Sequence, residues 1–314
     1  MRQNLISPIL LAAGLLTATE PTDAAPLQRS HIMQQPLWVA HIDADSLRQG
    51  VLGRHILAEL EKPEAEEKFA AFQAIFSFDP RKALHGVTLY GASKDAEDGV
   101  LLVYADFDAA RLTTLASGAE DHQAAAHRQY TIHNWLDSNR KNRHGAKVRT
   151  YAAIRGDCVV FAQKQARVAD ALDVLDGLKP NLSGDADFAR LGAGPAFLHA
   201  AARRLDLPEG DPNAALFKRS KMVSLTMGET QQQVQVTLTL EAETAEIAGH
   251  IEAVARGLLG LLTLQKEKPE AVKLAQALSI QRAGDSVVVN LALPATEFIQ
   301  ILQAADARKK AAAQ

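Results

Sequence analysis

The sequence predicts an α+β fold in which one domain is duplicated and each copy is an antiparallel sheet covered on one face by helices. Three observations predict it. A hairpin followed by an amphipathic helix recurs four times, turn residues separate the paired strand-like runs, and those runs alternate apolar with polar side chains. Such alternation is typical of antiparallel strands that shelter one face.

The composition is that of a folded protein. Of the 314 residues, 47% are apolar and 23% are charged, which excludes wholesale disorder. The formal net charge of −3 argues against a general binder of polyanions, and the aromatic content of 5% leaves few platforms for stacking bases. We therefore expect no nucleic-acid partner.

The N-terminus predicts export. Arg2 precedes an apolar run from Leu5 to Leu16, which is shorter than the stretch of about 20 residues that a membrane-spanning helix needs. Small residues at Thr22 and Ala24 suit a cleavage site. We expect residues 1–24 to be a signal peptide, and the mature protein to be periplasmic or secreted and to have no membrane span.

Four segments follow the same strand, turn, strand and helix pattern, and turn residues stand inside each of them. The segments are Val87–Ala116, Val148–Leu175, Val223–Leu262 and Leu278–Leu302. The predicted turns are Asp98–Gly99, Gly156–Asp157, Gly284–Asp285 and Gly228, since such residues tolerate the positive φ of tight hairpins.

The four units pair into two domains. We expect the first domain over residues 36–182 and the second over residues 195–305, because a stretch rich in Gly, Pro and Asn separates them. Residues 306–314 are predicted to be a flexible tail. The sequence leaves open whether the two sheets join into one.

The third unit shows the pattern most fully. Val234, Val236, Leu238 and Leu240 alternate with polar residues, and a helical period follows, whose last leucines, from Leu258 to Leu262, are predicted to pack beneath the sheet. This layout resembles uncharacterised secreted bacterial proteins built from duplicated hairpin-helix units. The resemblance implies an envelope protein of unknown role and carries over no catalytic residue.

Few residues predict chemistry. The sequence contains no HExxH, GxSxG, CxxC, phosphate-loop or EF-hand motif, so the catalytic classes that these motifs mark are not indicated. Cys158 is the single cysteine, which excludes an internal disulfide, and it stands at the start of an apolar strand-like run. We predict no cofactor.

A metal site is one hypothesis for the first strand-like segment. His41, Asp43 and Asp45 alternate, so an extended strand would place an imidazole and two carboxylates on one face. The alternative is structural: an Asp at 43 or 45 caps a helix that begins near Ser46, and His41 ends an edge strand.

A basic segment is the second candidate site. Residues 138–149 concentrate positive charge without an acidic residue, which favours an anionic ligand such as a phosphorylated glycolipid or acidic glycan. The alternative is a solvated hairpin loop. The candidate ligand-binding residues are Arg140, Lys141, Arg143, His144, Lys147 and Arg149.

These observations favour an exported, non-enzymatic envelope protein that binds another envelope protein or an anionic envelope component. Two alternatives stay open at this point. One is a periplasmic hydrolase, metal-dependent if His41, Asp43 and Asp45 hold a cation. The other is a chaperone or inhibitor that pairs with a client chain through the edges of its strands.

Overall fold

The protein is described by a computed structural model that covers residues 26–141, 145, 147–204, 219–264 and 268–312. The expected signal peptide, residues 1–24, lies outside these ranges. Within them the strands form one 12-stranded antiparallel sheet, so the two predicted sheets are continuous. The α+β class with antiparallel strands is confirmed.

The strands are β1 (Trp38–Asp43), β2 (Leu84–Gly91), β3 (Gly99–Ala105), β4 (Gln123–His127), β5 (Tyr130–Lys141), β6 (Lys147–Arg155), β7 (Cys158–Ala162), β8 (Leu198–Arg203), β9 (Ser220–Thr230), β10 (Gln233–Ala242), β11 (Leu278–Ala283) and β12 (Ser286–Pro294). The helices of the described residues are α1 (Ala44–Gln49), α2 (Val51–Leu60), α3 (Pro63–Phe76), α4 (Pro80–Ala83), α5 (Ala109–Ser117), α6 (Gln165–Leu175), α7 (Ala245–Thr263), α8 (Pro269–Ala277) and α9 (Ala295–Ala312).

The order of the strands shows the duplication. From the centre outward the N-terminal half runs β1-β2-β3-β7-β6, and the C-terminal half runs β8-β9-β10-β12-β11 in the same topology. β1 pairs with β8 in antiparallel register, with His41 opposite His199 and Ala40 opposite Ala200. Within the sheet, this pairing is the one that joins the two halves.

Each predicted hairpin-helix unit is present. The four units are β2-β3-α5, β6-β7-α6, β9-β10-α7 and β11-β12-α9. The hairpin β4-β5, which has no counterpart in the C-terminal half of the described chain, extends the sheet beyond β6.

Helices lie on both faces of the sheet. On the face that carries Leu102 and Val160, α6 buries Val168 and Leu172, and we call this the α6 face. The opposite face carries Leu240 and packs against Ile247 of α7, and we call it the α7 face. Both faces of β3 are apolar because its sequence is almost entirely apolar, so it is sheltered on both sides.

The stretch between the predicted domains is part of the core. Leu182 and Phe188 are buried with β1, β2 and α6 on the α6 face. Met33 forms a bridge with Asn181, which holds this stretch against the residues that precede β1. Although rich in turn residues, the stretch therefore covers the first half and is not an exposed spacer.

Gly228 is not a turn residue, in contrast to the prediction. It lies inside β9, where an added Cβ would come within 2.2 Å of the Pro195 carbonyl oxygen. The turn is made instead by Gln231 and Gln232, whose φ angles are 50° and 62°. Gly228 thus permits a close backbone approach, which a sequence pattern does not distinguish from a turn.

Two helices differ from their predictions at the C-terminal end. In α7 only the first turns are buried. The prediction that the last leucines pack beneath the sheet is wrong for Leu258 and Leu261, which are 51% and 60% exposed, whereas Leu259 packs against the core. α9 continues to Ala312, so a helix occupies most of the predicted tail; its Ala, Lys and Arg residues are strong helix formers. In the described ranges no helix has both the length and the apolarity that a membrane crossing requires.

One side chain of the C-terminal half caps a helix of the N-terminal half. The Glu229 carboxylate accepts hydrogen bonds from the backbone N–H groups of Val51 (2.7 Å) and Leu52 (2.9 Å) at the start of α2. Gly50, the residue before α2, leaves room for it, since a Cβ there would lie 2.4 Å from a carboxylate oxygen. A carboxylate at this position accepts hydrogen bonds from two backbone N–H groups that have no partner within the helix, and its negative charge interacts favourably with the helix dipole.

We expect Glu229→Ala to lower the free energy of unfolding by about 1–2 kcal/mol, the usual cost of removing a helix cap. The Glu229→Gln variant keeps one acceptor oxygen, so its free energy of unfolding should lie between those of the wild type and Glu229→Ala. Urea denaturation at neutral pH measures the change. Glu243→Ala, at an exposed position in the same half, is the matched control. Equal stabilities for Glu229→Ala and Glu243→Ala would show that the cap contributes nothing.

Candidate functional site

The three residues of the metal hypothesis are not brought together as ligands. Asp43 is the N-cap of α1: its side chain accepts hydrogen bonds from the backbone N–H of Ser46 (2.9 Å) and from the Ser46 hydroxyl (2.7 Å). Asp45 lies in α1, pairs with Arg48 and is 2.9 Å from the Nδ1 atom of His85. The capping alternative therefore describes Asp43.

His41 does not end an edge strand. It is 1% exposed at the centre of the sheet, and its Nδ1 atom is 2.9 Å from the Thr88 hydroxyl on β2. In the part of the chain that the structure describes, no three His, Cys, Asp or Glu side chains converge in a way that would hold a metal ion.

A second histidine lies opposite the first at the join between the halves. His199 is 3% exposed, and its Nδ1 atom has no hydrogen-bond partner among the described residues. Burial lowers the pKa of His199, against the opposing effects of the Ala196 backbone and the Asp43 carboxylate. The join is thus a buried polar pair that solvent does not reach.

The basic segment is only partly described. Arg143 and His144 lie outside the described residues, as do the side chains of Arg140 and Lys141. The Lys147 ammonium lies 2.5 Å from the Glu120 carboxylate, and Arg149 pairs with Asp121 and Asn134. The segment itself contains no acid, but the fold brings Glu120 and Asp121 next to it, so these two cations are neutralised.

The candidate site that the geometry favours is an apolar pocket on the α7 face. It lies between the end of α3, the helix α5 and the strands β5, β6 and β7, and its volume is about 310 Å³. Its lining side chains are almost all apolar, and the principal ones are Ile75, Phe76, Leu112, Leu115, Trp135 and Phe161. A pocket with this lining suits an apolar ligand.

A pair of histidines forms the polar part of the pocket. His133 lines it, and its Nδ1 atom is 3.0 Å from the Nε2 atom of His122, with the two rings stacked at 5.3 Å between centroids. Burial lowers the pKa of His133, and the neighbouring His122 lowers it further. The lowered pKa favours the neutral form of His133, in which its Nδ1 atom can share a hydrogen bond with the Nε2 atom of His122.

Other polar groups of the pocket are engaged by the fold. The Thr113 hydroxyl donates a hydrogen bond to the carbonyl oxygen of Ala109, one turn earlier in α5.

Cys158 is at the start of β7, but its side chain lies on the α6 face, away from the pocket, where burial raises the pKa of the thiol to about 12. Cys158 is a buried core residue, and its thiol is not activated as a nucleophile.

The pocket has no distinct signature in the sequence. Trp135 and His133 alternate along one strand, and a run of apolar residues in α5 faces them, but neither feature is distinguishable from core in the sequence. The available signal was the pairing of His122 with His133 across the β4-β5 hairpin, and that hairpin was not among the predicted elements.

Comparisons with known proteins concern the fold. No family model matches the chain, and no curated protein matches it. Crystal form III of TP0453 is similar, with a TM-score of 0.50 at 11% identity over 90% of this chain and 100% of that chain. Crystal forms I and IV of TP0453 give TM-scores of 0.45 and 0.46 at 11% and 10% identity; each comparison covers 89% of this chain, with 98% and 97% of the other chains. At this identity the similarity to form III shows a shared fold alone.

We expect protonation of His133 to destabilise the protein. Its folded pKa lies below its unfolded value of about 6.5, so between these values the unfolded chain binds more protons. The contribution of neutral His133 to the free energy of unfolding is therefore complete above about pH 6.5, and it is lost as the pH falls through the folded pKa. Between about pH 7.5 and pH 5.5, the melting temperature of His133→Gln should fall by less than the melting temperature of the wild type.

The exposed His250→Gln is the control for this measurement and should follow wild type. His31 and His199 also have lowered pKa values, so wild type and control both lose stability in acid, and the difference between variants is what counts. An unchanged pH dependence in His133→Gln would contradict the prediction.

Proposed function

We propose that this chain is an exported, non-enzymatic binding protein of the bacterial envelope, and that it holds an apolar small molecule in the pocket between α3, α5 and the sheet. The observation that carries the proposal is the chemistry of the pocket. It offers a wall of aliphatic and aromatic side chains and one histidine pair.

Size and lining support a bound molecule. An apolar cavity of about 150 Å³ in a protein interior stays dry and accepts benzene, and this pocket is about twice that volume. Filling it would remove Trp135, Phe76 and Phe161 from water, which is favourable in proportion to the apolar area covered. The histidine pair is placed to select a ligand that carries one hydrogen-bonding group.

Export is supported by the N-terminal sequence. Arg2, the apolar run Leu5–Leu16 and the small residues Thr22 and Ala24 fit a cleaved signal peptide. A single buried cysteine is compatible with an oxidising compartment, since it neither forms nor needs an internal disulfide.

The hydrolase and the anion-binding function have less structural support. A hydrolase that uses His41 and Asp43 would need substrate to reach side chains that are 1% and 3% exposed. An anionic partner at the basic segment would have to compete with Glu120 and Asp121 for Lys147 and Arg149. Because the pocket is open and its groups face no such competition, we place the ligand there.

The test fills the pocket from α5. Ala116 lines the pocket, and we expect Ala116→Trp to weaken binding of the apolar fluorescent probe N-phenyl-1-naphthylamine by about tenfold or more, since the indole occupies the ligand's space. Fluorescence titration of the full chain from residue 25 onward measures it. Circular dichroism melting confirms that the variant is folded.

Thr114→Trp is the matched control, because Thr114 is an exposed residue of the same helix and does not line the pocket. It should bind the probe as wild type does. Wild-type protein that does not bind the probe, or a folded Ala116→Trp variant that binds it as tightly as Thr114→Trp, would refute the pocket as the site.

A further inference from the structure

The two ends of the sheet differ in how they are protected. β11 forms one edge, and there the Arg256 guanidinium donates a hydrogen bond of 2.9 Å to the carbonyl oxygen of Ile280. Arg256 and Arg282 also share the Glu252 carboxylate, which places charge along this edge. Charged groups on an edge strand prevent pairing with another chain.

The other edge, β4, has no such protection. Its sequence is Gln-Ala-Ala-Ala-His over Gln123–His127, and its side chains are mostly exposed. In the described ranges β4 is paired on one side only, with β5. Alanine side chains carry no charge, so the middle of this edge lacks the charged groups that lie along β11.

The turn determines which backbone groups point outward. His127 and Tyr130 close a turn of Arg128 and Gln129, so the closing pair exchanges hydrogen bonds and the pairs alternate from there. The backbone N–H and C=O groups of Ala124 and Ala126 therefore point away from β5. These are two donors and two acceptors in a row on the outside of the sheet.

We propose that β4 pairs with β4 of a second copy of this chain, in antiparallel register about Ala125. In that register Ala124 of one protomer exchanges two hydrogen bonds with Ala126 of its partner, and the reciprocal pair does the same. Only alanine side chains meet at the centre, so the two sheets approach without a clash, and the 12-stranded sheet continues across the dimer.

Charge favours this occupant and this direction. Glu120 and Asp121 precede β4, and Arg128 follows it. The Asp121 and Arg128 side chains are each 51% exposed, although both already have one partner within the chain. Antiparallel pairing brings the acidic end of one strand to the basic end of the other, whereas parallel pairing would set like charges side by side.

The first test removes the outward donor. Ala126→Pro deletes an N–H that faces away from β5, so β4 is retained while the dimer loses two hydrogen bonds. We expect dimerisation measured by sedimentation velocity to weaken by about tenfold or more. Ala126→Ser keeps the N–H and should dimerise as wild type, and melting in dilute solution shows that both variants are folded.

The second test reports the register. Ala125→Cys places one thiol from each protomer directly opposite the other, and we expect mild oxidation to give a disulfide-linked dimer. Ser279→Cys, at an exposed position on the protected edge β11, is the matched control and should stay monomeric.

Three results would each overturn the proposal. They are a wild type that stays monomeric up to its solubility limit, a folded Ala126→Pro variant that dimerises like Ala126→Ser, and an Ala125→Cys variant that cross-links no faster than Ser279→Cys. Because none of these readouts involves the apolar probe, failure here is separate from failure of the pocket.

Discussion

The pairing of β1 with β8 is the constraint on which the rest of the structure depends. It sets His41 opposite His199 and fuses two sheets of the same topology into one. Because the strands are antiparallel and in register, the α6 face and the α7 face each run through both halves. Two further contacts fix the same arrangement. Glu229 of β9 caps α2, and the segment between the halves is buried on the α6 face through Leu182 and Phe188.

The apolar pocket follows from an unequal duplication. In the C-terminal half the long helix α7, of 19 residues, packs directly on its hairpin. Its counterpart α5 has 9 residues, and the N-terminal half carries the additional hairpin β4-β5. The helix α5 is therefore too short to cover all the strands of its half on the α7 face, and a space is left between α5, α3 and Trp135. The same insertion provides both the histidine pair of the pocket and the open edge of the sheet.

Much of the fold could be predicted from the sequence, because the signals are local. Alternation in Val234–Leu240, turn residues at Gly156 and Gly284, and the helical period after each hairpin identified all four units. What escaped prediction depends on distant residues. Leu258 and Leu261 have the spacing of a buried face, yet no element of the described ranges covers them. Gly228 resembles a turn residue, although its role is to permit a close approach to Pro195. The prediction of the functional site failed for the same reason. Lys147 and Arg149 form a basic segment in the sequence, but acidic residues from elsewhere in the fold neutralise them. His122 and His133 meet only when the β4-β5 hairpin has formed.

The central position of β1 has a consequence for the order in which the chain acquires structure. β1 is among the first elements to be synthesised, but its second neighbour, β8, follows only after about half the chain, so the join is a contact of high sequence separation. Until β8 has been made, β1 can pair with β2 on one side only, and its other side is left as an open strand edge. An open strand edge of this kind can pair with other chains, so this side of β1 is exposed to wrong pairing until β8 has been made.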